Sequence, residues 1–180
     1  QLLQHAFVTE NPNPPYKSYL MDSAASLATY SNTHSQIQSA FRKHLLASGY
    51  LDMYLFDDKG TMLYSVAKEI DFGQSFADGK PLANTLLAAT YKKAMALDKP
   101  DDFVFSDFAA YAPLGSAPVA FFAKPVLASD GHKMGVLAFS ISAEPLSGTI
   151  SARNGLGQTG DTLVVGADGL ARSNSPMTPD

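Results

Sequence analysis

Apolar residues in the first third of the chain recur with the period of a helix. Ile37, Phe41 and Leu45 are spaced four apart, which places them on one side of a helix from about residue 31 to Gly49. Glycine suits the end of this helix because it adopts a left-handed conformation at little cost. We therefore predict an amphipathic helix whose apolar side packs against the rest of the protein.

Two other helical patterns precede this one. Residues 1–10 and 16–27 have spaced apolar positions, and the proline-rich run 11–15 separates them because proline cannot continue a helix. Together these stretches predict a long N-terminal helical segment over residues 1–49.

A period of two begins after Gly49 and predicts strands. The sequence Asp-Asp-Lys-Gly at 57–60 is typical of a hairpin turn between the first two. The predicted order is strands at 50–56 and 61–68, a helix at 81–97, and strands at 102–109, 118–127 and 134–142. A fully parallel sheet would need a crossover helix between each pair of strands. We therefore predict an α+β fold with a five-stranded antiparallel sheet flanked by helices.

The same pattern restarts after the last of these strands. A helix is predicted over Glu144–Ala152, then a glycine-rich loop over Gly155–Gly160, then a second strand–turn–strand unit over 162–173. We interpret residues 50–152 as one complete module and residues 153–180 as the start of a second, truncated copy.

Composition narrows the class of protein. Hydrophobic residues make up 46% and charged residues 17%, which predicts a packed core. The net charge of −4 and the scattered Lys and Arg disfavour nucleic-acid binding. There is no cysteine, and the four histidines lack metal-binding spacing, so we predict no metal and no cofactor. No apolar run reaches ~18 residues, and any membrane spans are expected outside this stretch of chain.

The sequence offers little support for catalysis. It has no Gly-x-Ser-x-Gly element, and the loop Gly155–Gly160 follows a predicted helix, which is the wrong context for a phosphate loop. Glu69 and Asp71 alternate along an extended segment, where surface or structural ion pairing is the expected role. We predict no catalytic residue and no enzymatic activity.

Polar groups among the aromatic strands predict a small-molecule pocket between the sheet and the helix at 81–97. Buried tyrosine hydroxyls need partners, and Lys68 suits an anionic ligand, although a salt bridge to Glu69 or Asp71 is equally consistent with the sequence. The candidate ligand-binding residues are Tyr54, Tyr64, Ser65, Lys68, Phe105, Asp107, Tyr111 and Phe121.

Several stretches taken together resemble a known family. In order and spacing they are similar to the double Cache domains, PAS-like extracytoplasmic sensors of bacterial chemoreceptors, sensor kinases and cyclases. The stretches are 54–60, 64–73, 105–113, 117–126 and 155–169. The resemblance implies a membrane-distal sensor module at 50–152, flanking transmembrane helices outside the chain, a periplasmic position at the bacterial inner membrane, and a homodimeric receptor.

The resemblance also implies a function and a ligand. The function is sensing by a transmembrane signalling receptor, in the first place a methyl-accepting chemotaxis protein. The Arg-x-Trp-Tyr-like element of amino-acid-binding members is absent, so a small organic acid such as a short carboxylate is the expected ligand. The alternatives are a sensor-kinase or cyclase input domain that binds an amino acid, and a ligand-free dimerisation module with a solidly packed interior. A hydrolase or lyase that uses Glu69, Asp71 or Asp107 would show a raised carboxyl pKa in a cleft.

Overall fold

The computed structural model describes residues 2–99, 101–144 and 160–173. Its helices are α1 (Leu2–Gln4), which continues as a π-helix (His5–Thr9), α2 (Ala28–Ser48) and α3 (Leu86–Met95). Its strands are β1 (Asp52–Asp57), β2 (Met62–Ser65), β3 (Val104–Phe105), β4 (Ala109–Tyr111), β5 (Ala117–Leu127) and β6 (Lys133–Ser142). The predicted α+β class is confirmed. None of the helices within these described ranges is both long and apolar enough to cross a membrane.

The strands form one antiparallel sheet in the order β2-β1-β6-β5-β3, and β4 also pairs with β5. The described sheet has six strands where we predicted five, because the stretch 102–109 contributes to two short strands. Between them, the Asp107 carboxylate accepts the N–H of Phe108 at 2.7 Å and interrupts the ladder with β5.

The α2 helix forms close to where the hydrophobic period places it. It begins at Ala28, slightly before the predicted start, and ends at Gly49, whose φ of 73° is the left-handed conformation expected there. Leu45 is 6% exposed and packs with Met53, Tyr64 and Val66 on the sheet.

Two other helix predictions need correction. Residues 16–27 contain only the 3-10 turns Ser18–Leu20 and Ala25–Leu27, because Met21 and Ala24 adopt extended backbone conformations that interrupt a helix. The helix predicted at 81–97 begins at Leu86, where the Thr85 side chain accepts the N–H of Ala88 at 3.2 Å.

The two sides of the sheet bury different partners. On the α3-facing side, Tyr54, Phe56 and Phe121 pack with Leu87 of the helix. On the α2-facing side, Met53, Tyr64 and Val66 pack with α2. At Gly135, β6 approaches β1 so closely that a Cβ atom would overlap the carbonyl oxygen of Phe56.

The tail of the described chain folds back as a short hairpin. Val165 bridges Ala171, and the Gly169 N–H donates to the Gly166 carbonyl at 3.0 Å, which closes the predicted turn. Most of the helix predicted at 144–152 and of the loop predicted at 155–160 lies outside the described residues. The division into modules at 50–152 and 153–180 stays a prediction.

Candidate ligand site

Tyr54, Ser65 and Phe121, three of the candidate ligand-binding residues, lie together on the α3-facing side of the sheet. Tyr54 is paired with Ser65 across β1 and β2, and Phe121 is paired with Ser140 across β5 and β6. The Tyr54 hydroxyl lies 3.1 Å from the Ser140 oxygen, which provides the partner that a buried phenol needs.

Asp52, at the start of β1, is a fully buried carboxyl group beside these residues. It accepts hydrogen bonds from the Ser65 hydroxyl and from the N–H groups of Met53 at 2.7 Å and Ala67 at 2.9 Å. Burial raises the pKa of Asp52 to about 7, even though its three donors favour the carboxylate. This carboxyl group therefore changes its charge near neutral pH.

Lys68 is buried next to Asp52 and has an unusual backbone conformation. Its φ is 58°, its side chain is 1% exposed, and its N–H donates to the Ser65 hydroxyl at 3.0 Å. Among the described residues, its Nζ donates to the Val66 carbonyl at 3.1 Å, and neither predicted salt bridge, to Glu69 or to Asp71, forms. Burial lowers the pKa of Lys68 to about 7, and Asp52 partly opposes this shift.

Asp71 has one carboxylate oxygen without a partner. Its Oδ2 accepts the Tyr111 hydroxyl at 2.6 Å, whereas its Oδ1 is buried and accepts no hydrogen bond from another described residue. The N–H of Asp71 itself lies close enough to favour the carboxylate but does not meet hydrogen-bond geometry. Asp71 is 1% exposed and its carboxylate is bonded to a tyrosine hydroxyl, not to a cation among the described residues, so the surface or structural ion pairing expected from sequence is wrong for Asp71. Burial raises its pKa to about 6. We call Asp52, Ser65, Lys68, Asp71 and Tyr111 the polar cluster.

Tyr64 does not join the polar cluster. It pairs with Leu55 on the α2-facing side, because neighbouring residues of a strand point to opposite faces, and its hydroxyl donates to the Gln38 amide oxygen at 2.5 Å. The prediction that Tyr64 and Ser65 converge on one pocket is therefore wrong.

Phe105 and Asp107 also lie away from the cluster. Phe105 is 49% exposed, and Asp107 binds the guanidinium of Arg172 through both oxygens, at 2.9 and 2.8 Å. Hydrogen bonds from Arg172 hold the Asp107 pKa below its usual range. These residues line a separate cavity of about 560 Å³ with Phe108 and Phe122.

The polar cluster is enclosed in this structure. Its five members are each at most 1% exposed, and so are the adjacent Tyr54 and Phe121, so these side chains fill the space where we predicted a hollow. The described residues line three cavities of about 560 to 690 Å³, and none of them is at the polar cluster. Two are on the α2-facing side, and one is beside Phe105.

Sequence reasoning missed two members of this region, Asp52 and Ser140. Asp52 is two residues before Tyr54 and four before Phe56 in β1, so strand alternation places its side chain on the same buried side of the sheet. Ser140 becomes recognisable only once the pairing of β6 with β5 is known, because it faces Phe121 across that ladder.

No protein-family model matches the chain, and the search of curated proteins finds no relative. Solved structures do match. The sensory domain of the Campylobacter jejuni chemoreceptor Tlp3 is 17% identical, with a TM-score of 0.53, over 95% of this chain and 61% of that one. The same domain with isoleucine bound gives 16% identity and a TM-score of 0.54, over 96% of this chain and 60% of that one.

A third match is the ligand-binding domain of the Pseudomonas fluorescens chemoreceptor CtaA in complex with L-serine. It is 20% identical, with a TM-score of 0.50, over 96% of this chain and 61% of that one. The chain thus shares the fold of chemoreceptor sensory domains, as the Cache resemblance implies, and spans about 60% of their length.

Proposed function

We propose that this chain is the ligand-binding part of an extracytoplasmic sensor domain from a bacterial transmembrane receptor. Two observations support the proposal: the fold shared with chemoreceptor sensory domains, and a buried polar cluster that holds an unpaired carboxylate oxygen. A periplasmic position at the inner membrane and a second module beginning near residue 153 belong to the same proposal. The hairpin around Gly169 is consistent with such a start.

The unpaired oxygen of Asp71 carries the argument about the ligand. A buried acceptor without a partner costs about 1–3 kcal/mol, and a ligand that donates a hydrogen bond removes this cost. An ammonium group is the strongest such donor, because it adds charge attraction to the hydrogen bond. We therefore propose that Asp71 binds the ammonium group of a small ligand.

The charges of the cluster favour an amino acid over a simple organic acid. Asp52 and Asp71 contribute two carboxyl groups and Lys68 one amine, so an added carboxylate alone would increase the negative charge of a buried site. An amino acid brings its own positive group. The isoleucine and L-serine complexes of the matched domains agree with this choice. The organic acid predicted from sequence remains the competing ligand, with Lys68 as its partner.

Binding requires a change in the packing around Asp71. The Asp71 side chain and the Tyr111 side chain that donates to its Oδ2 are each 1% exposed, so neighbouring side chains have to move before a ligand reaches Oδ1. A filled interior is also what we expect of a ligand-free dimerisation module. A thermal-shift screen separates these two roles.

An enzyme would require a carboxyl group that has a raised pKa and lies in a cleft. Asp52 and Asp71 meet the first of these two conditions. Both groups are enclosed, however, and a catalytic carboxyl must reach a substrate through a cleft. Of the other two acids named from sequence, Asp107 is exposed, and hydrogen bonds from Arg172 lower its pKa. Glu69 is half-buried, and burial raises its pKa, but its carboxyl group forms no hydrogen bond or ion pair with a described residue that could act beside it. Binding therefore fits the arrangement better than catalysis.

The test is a thermal-shift screen with matched pairs of ligands. Each amino acid is compared with the acid that lacks only its amine: L-isoleucine with 3-methylpentanoate, and L-serine with 3-hydroxypropanoate. For the cognate amino acid at 100 times its Kd, we expect Tm to rise by about 5–10 °C. The Asp71→Asn variant should lose this shift, and exposed Asp102→Asn should keep it.

The other outcomes are equally informative. A larger shift with the amine-free acid, retained in Asp71→Asn, would identify an organic-acid sensor that uses Lys68. No concentration-dependent shift from a broad set of either class would refute the sensor proposal and favour the dimerisation module.

A further inference from the structure

A cavity of about 690 Å³ opens beneath the first half of α2, on the opposite side of the sheet from the polar cluster. Its walls include Ile37 of the helix and Leu55 and Leu63 of the first two strands. Leu63 is 38% exposed, so part of this apolar wall faces the open space. The volume lies within the range of small-molecule sites.

His34 gives this cavity a specific polar feature. The residue lines the cavity and is 1% exposed, and its Nε2 atom is buried without a hydrogen-bond partner among the described residues. The hydroxyl groups of the two tyrosines packed against its ring donate elsewhere: Tyr30 to the Leu63 carbonyl at 2.8 Å, and Tyr64 to the Gln38 amide at 2.5 Å.

The bonding of His34 fixes what Nε2 can do. Its Nδ1 lies 2.7 Å from the carbonyl oxygen of Asp22, and a carbonyl only accepts, so Nδ1 carries the hydrogen. Burial, with a further contribution from the charge of Lys68, lowers the His34 pKa to about 4. The ring is therefore neutral at pH 7, and Nε2 is an unpaired acceptor.

We infer that this cavity is a second binding site, for an uncharged and largely apolar molecule that donates one hydrogen bond to Nε2 of His34. Because Nε2 is buried in this structure, a side chain beside the ring, such as Tyr30, has to move for the ligand to reach it. The residues of its wall that the structure describes carry no formal charge when His34 is neutral, so a charged ligand would lose its hydration without compensation. Simple phenols and alcohols have the required chemistry. The cavity shares no lining residue with the polar cluster of the proposed amino-acid site, although the charge of Lys68 acts on His34.

A second cavity adjoins the first one along the helix. It measures about 560 Å³, is lined by Phe41, Met53 and Phe139 among others, and shares Ile37, Leu55 and Tyr64 with the first cavity. The described residues therefore accommodate an apolar body longer than a single ring.

The probe is phenol, and anisole is its matched control, because methylation of the hydroxyl removes the donor and keeps the ring. Binding to the 180-residue chain is followed by amide chemical shifts in a ¹⁵N–¹H NMR titration. We expect phenol to shift the amides around Tyr30, His34 and Leu63, and to bind about 10-fold more tightly than anisole.

Two variants test the location. Leu63→Trp places an indole in the cavity from a partly exposed position and should abolish phenol binding, whereas Met134→Trp, at a 55% exposed strand position, should leave it unchanged. His34→Phe should bind phenol and anisole equally. If His34→Phe does not fold, the Leu63 variant and the phenol–anisole comparison still decide the question.

Three results would overturn the inference. They are the absence of saturable phenol binding, binding that Leu63→Trp does not reduce, and equal affinities for phenol and anisole in the unmodified chain. The amino-acid proposal predicts none of these quantities, so the two proposals fail separately.

Discussion

The hydrogen bond between Tyr111 and Asp71 is the residue-scale contact with the clearest consequence for stability. Tyr111→Phe removes the donor to Oδ2 and leaves both oxygens of a buried carboxyl group without a partner. We expect the free energy of unfolding to fall by about 1–3 kcal/mol in urea denaturation. Tyr16→Phe, at an 86% exposed position, is the control and should change it by less than about 0.5 kcal/mol. Equal stability of the two variants would contradict the assigned bond.

For single residues, the sequence predicted which side chains need hydrogen-bond partners, but it did not predict on which face of the sheet they lie. The need of a buried phenol for a partner correctly anticipated hydrogen bonds for Tyr54, Tyr64 and Tyr111. The sequence did not indicate that Tyr64 faces α2, because one residue of strand register decides the side. Asp71 and Tyr111 lie 40 residues apart, and only the folded chain brings them together.

The packing of α2 on the sheet is tested at the scale of the element. Leu45 is 6% exposed, and its neighbour Leu46 is 66% exposed. A Leu→Ala substitution changes helix propensity by the same amount at both positions, but it removes buried packing only at Leu45. We expect Leu45→Ala to lower the free energy of unfolding by about 3 kcal/mol and Leu46→Ala by less than about 0.5 kcal/mol. A similar loss at both sites would show that α2 does not pack as described.

Elements were predictable where their signal was local. The four-residue spacing of Ile37, Phe41 and Leu45 identified α2, and the Asp57–Gly60 turn identified the first hairpin. The start of α3 was misplaced because the hydroxyl of Thr85 caps the helix, whereas Pro81 is also a good first residue. Local preference allowed both starts, and only the Thr85 cap is realised in the folded chain.

For the whole molecule, the buried titratable groups predict an unusual dependence of stability on pH. Asp52 and Asp71 have pKa values of about 7 and about 6, against 3.8 when unfolded. Between about pH 4 and 7 the folded protein therefore binds more protons than the unfolded chain, so the free energy of unfolding falls as pH rises. His34 acts in the opposite direction between its folded pKa of about 4 and its unfolded pKa of 6.5, because there the unfolded chain binds the extra proton. The combined effect of the two carboxyl groups is larger, so the free energy of unfolding still falls.

Above neutral pH the sign reverses. The pKa of Lys68 is about 7 in the folded protein and 10.5 in the unfolded chain, so the unfolded chain binds more protons in that window and stability rises with pH. We therefore expect the ligand-free protein to be least stable near pH 7, as measured by urea denaturation between pH 4 and 10. A maximum of stability near pH 7 would contradict these assignments.

The Asp71→Asn variant isolates one contribution to that curve. The shift of the Asp71 pKa from 3.8 to about 6 corresponds to about 3 kcal/mol. Between pH 4 and 7, the free energy of unfolding of the variant should fall by about 3 kcal/mol less than that of the unmodified chain. Its rise above pH 7 should be unchanged, because Lys68 causes it.

The close approach of β6 to β1 at Gly135 offers a way to recognise distant relatives of this chain. Any side chain at this position would collide with the Phe56 carbonyl, so a protein that keeps this strand pairing has to place glycine there or move two central strands apart. A profile weighted towards that glycine, and towards the carboxyl group at the start of β1, would find homologues by geometry when overall identity is too low to reveal them.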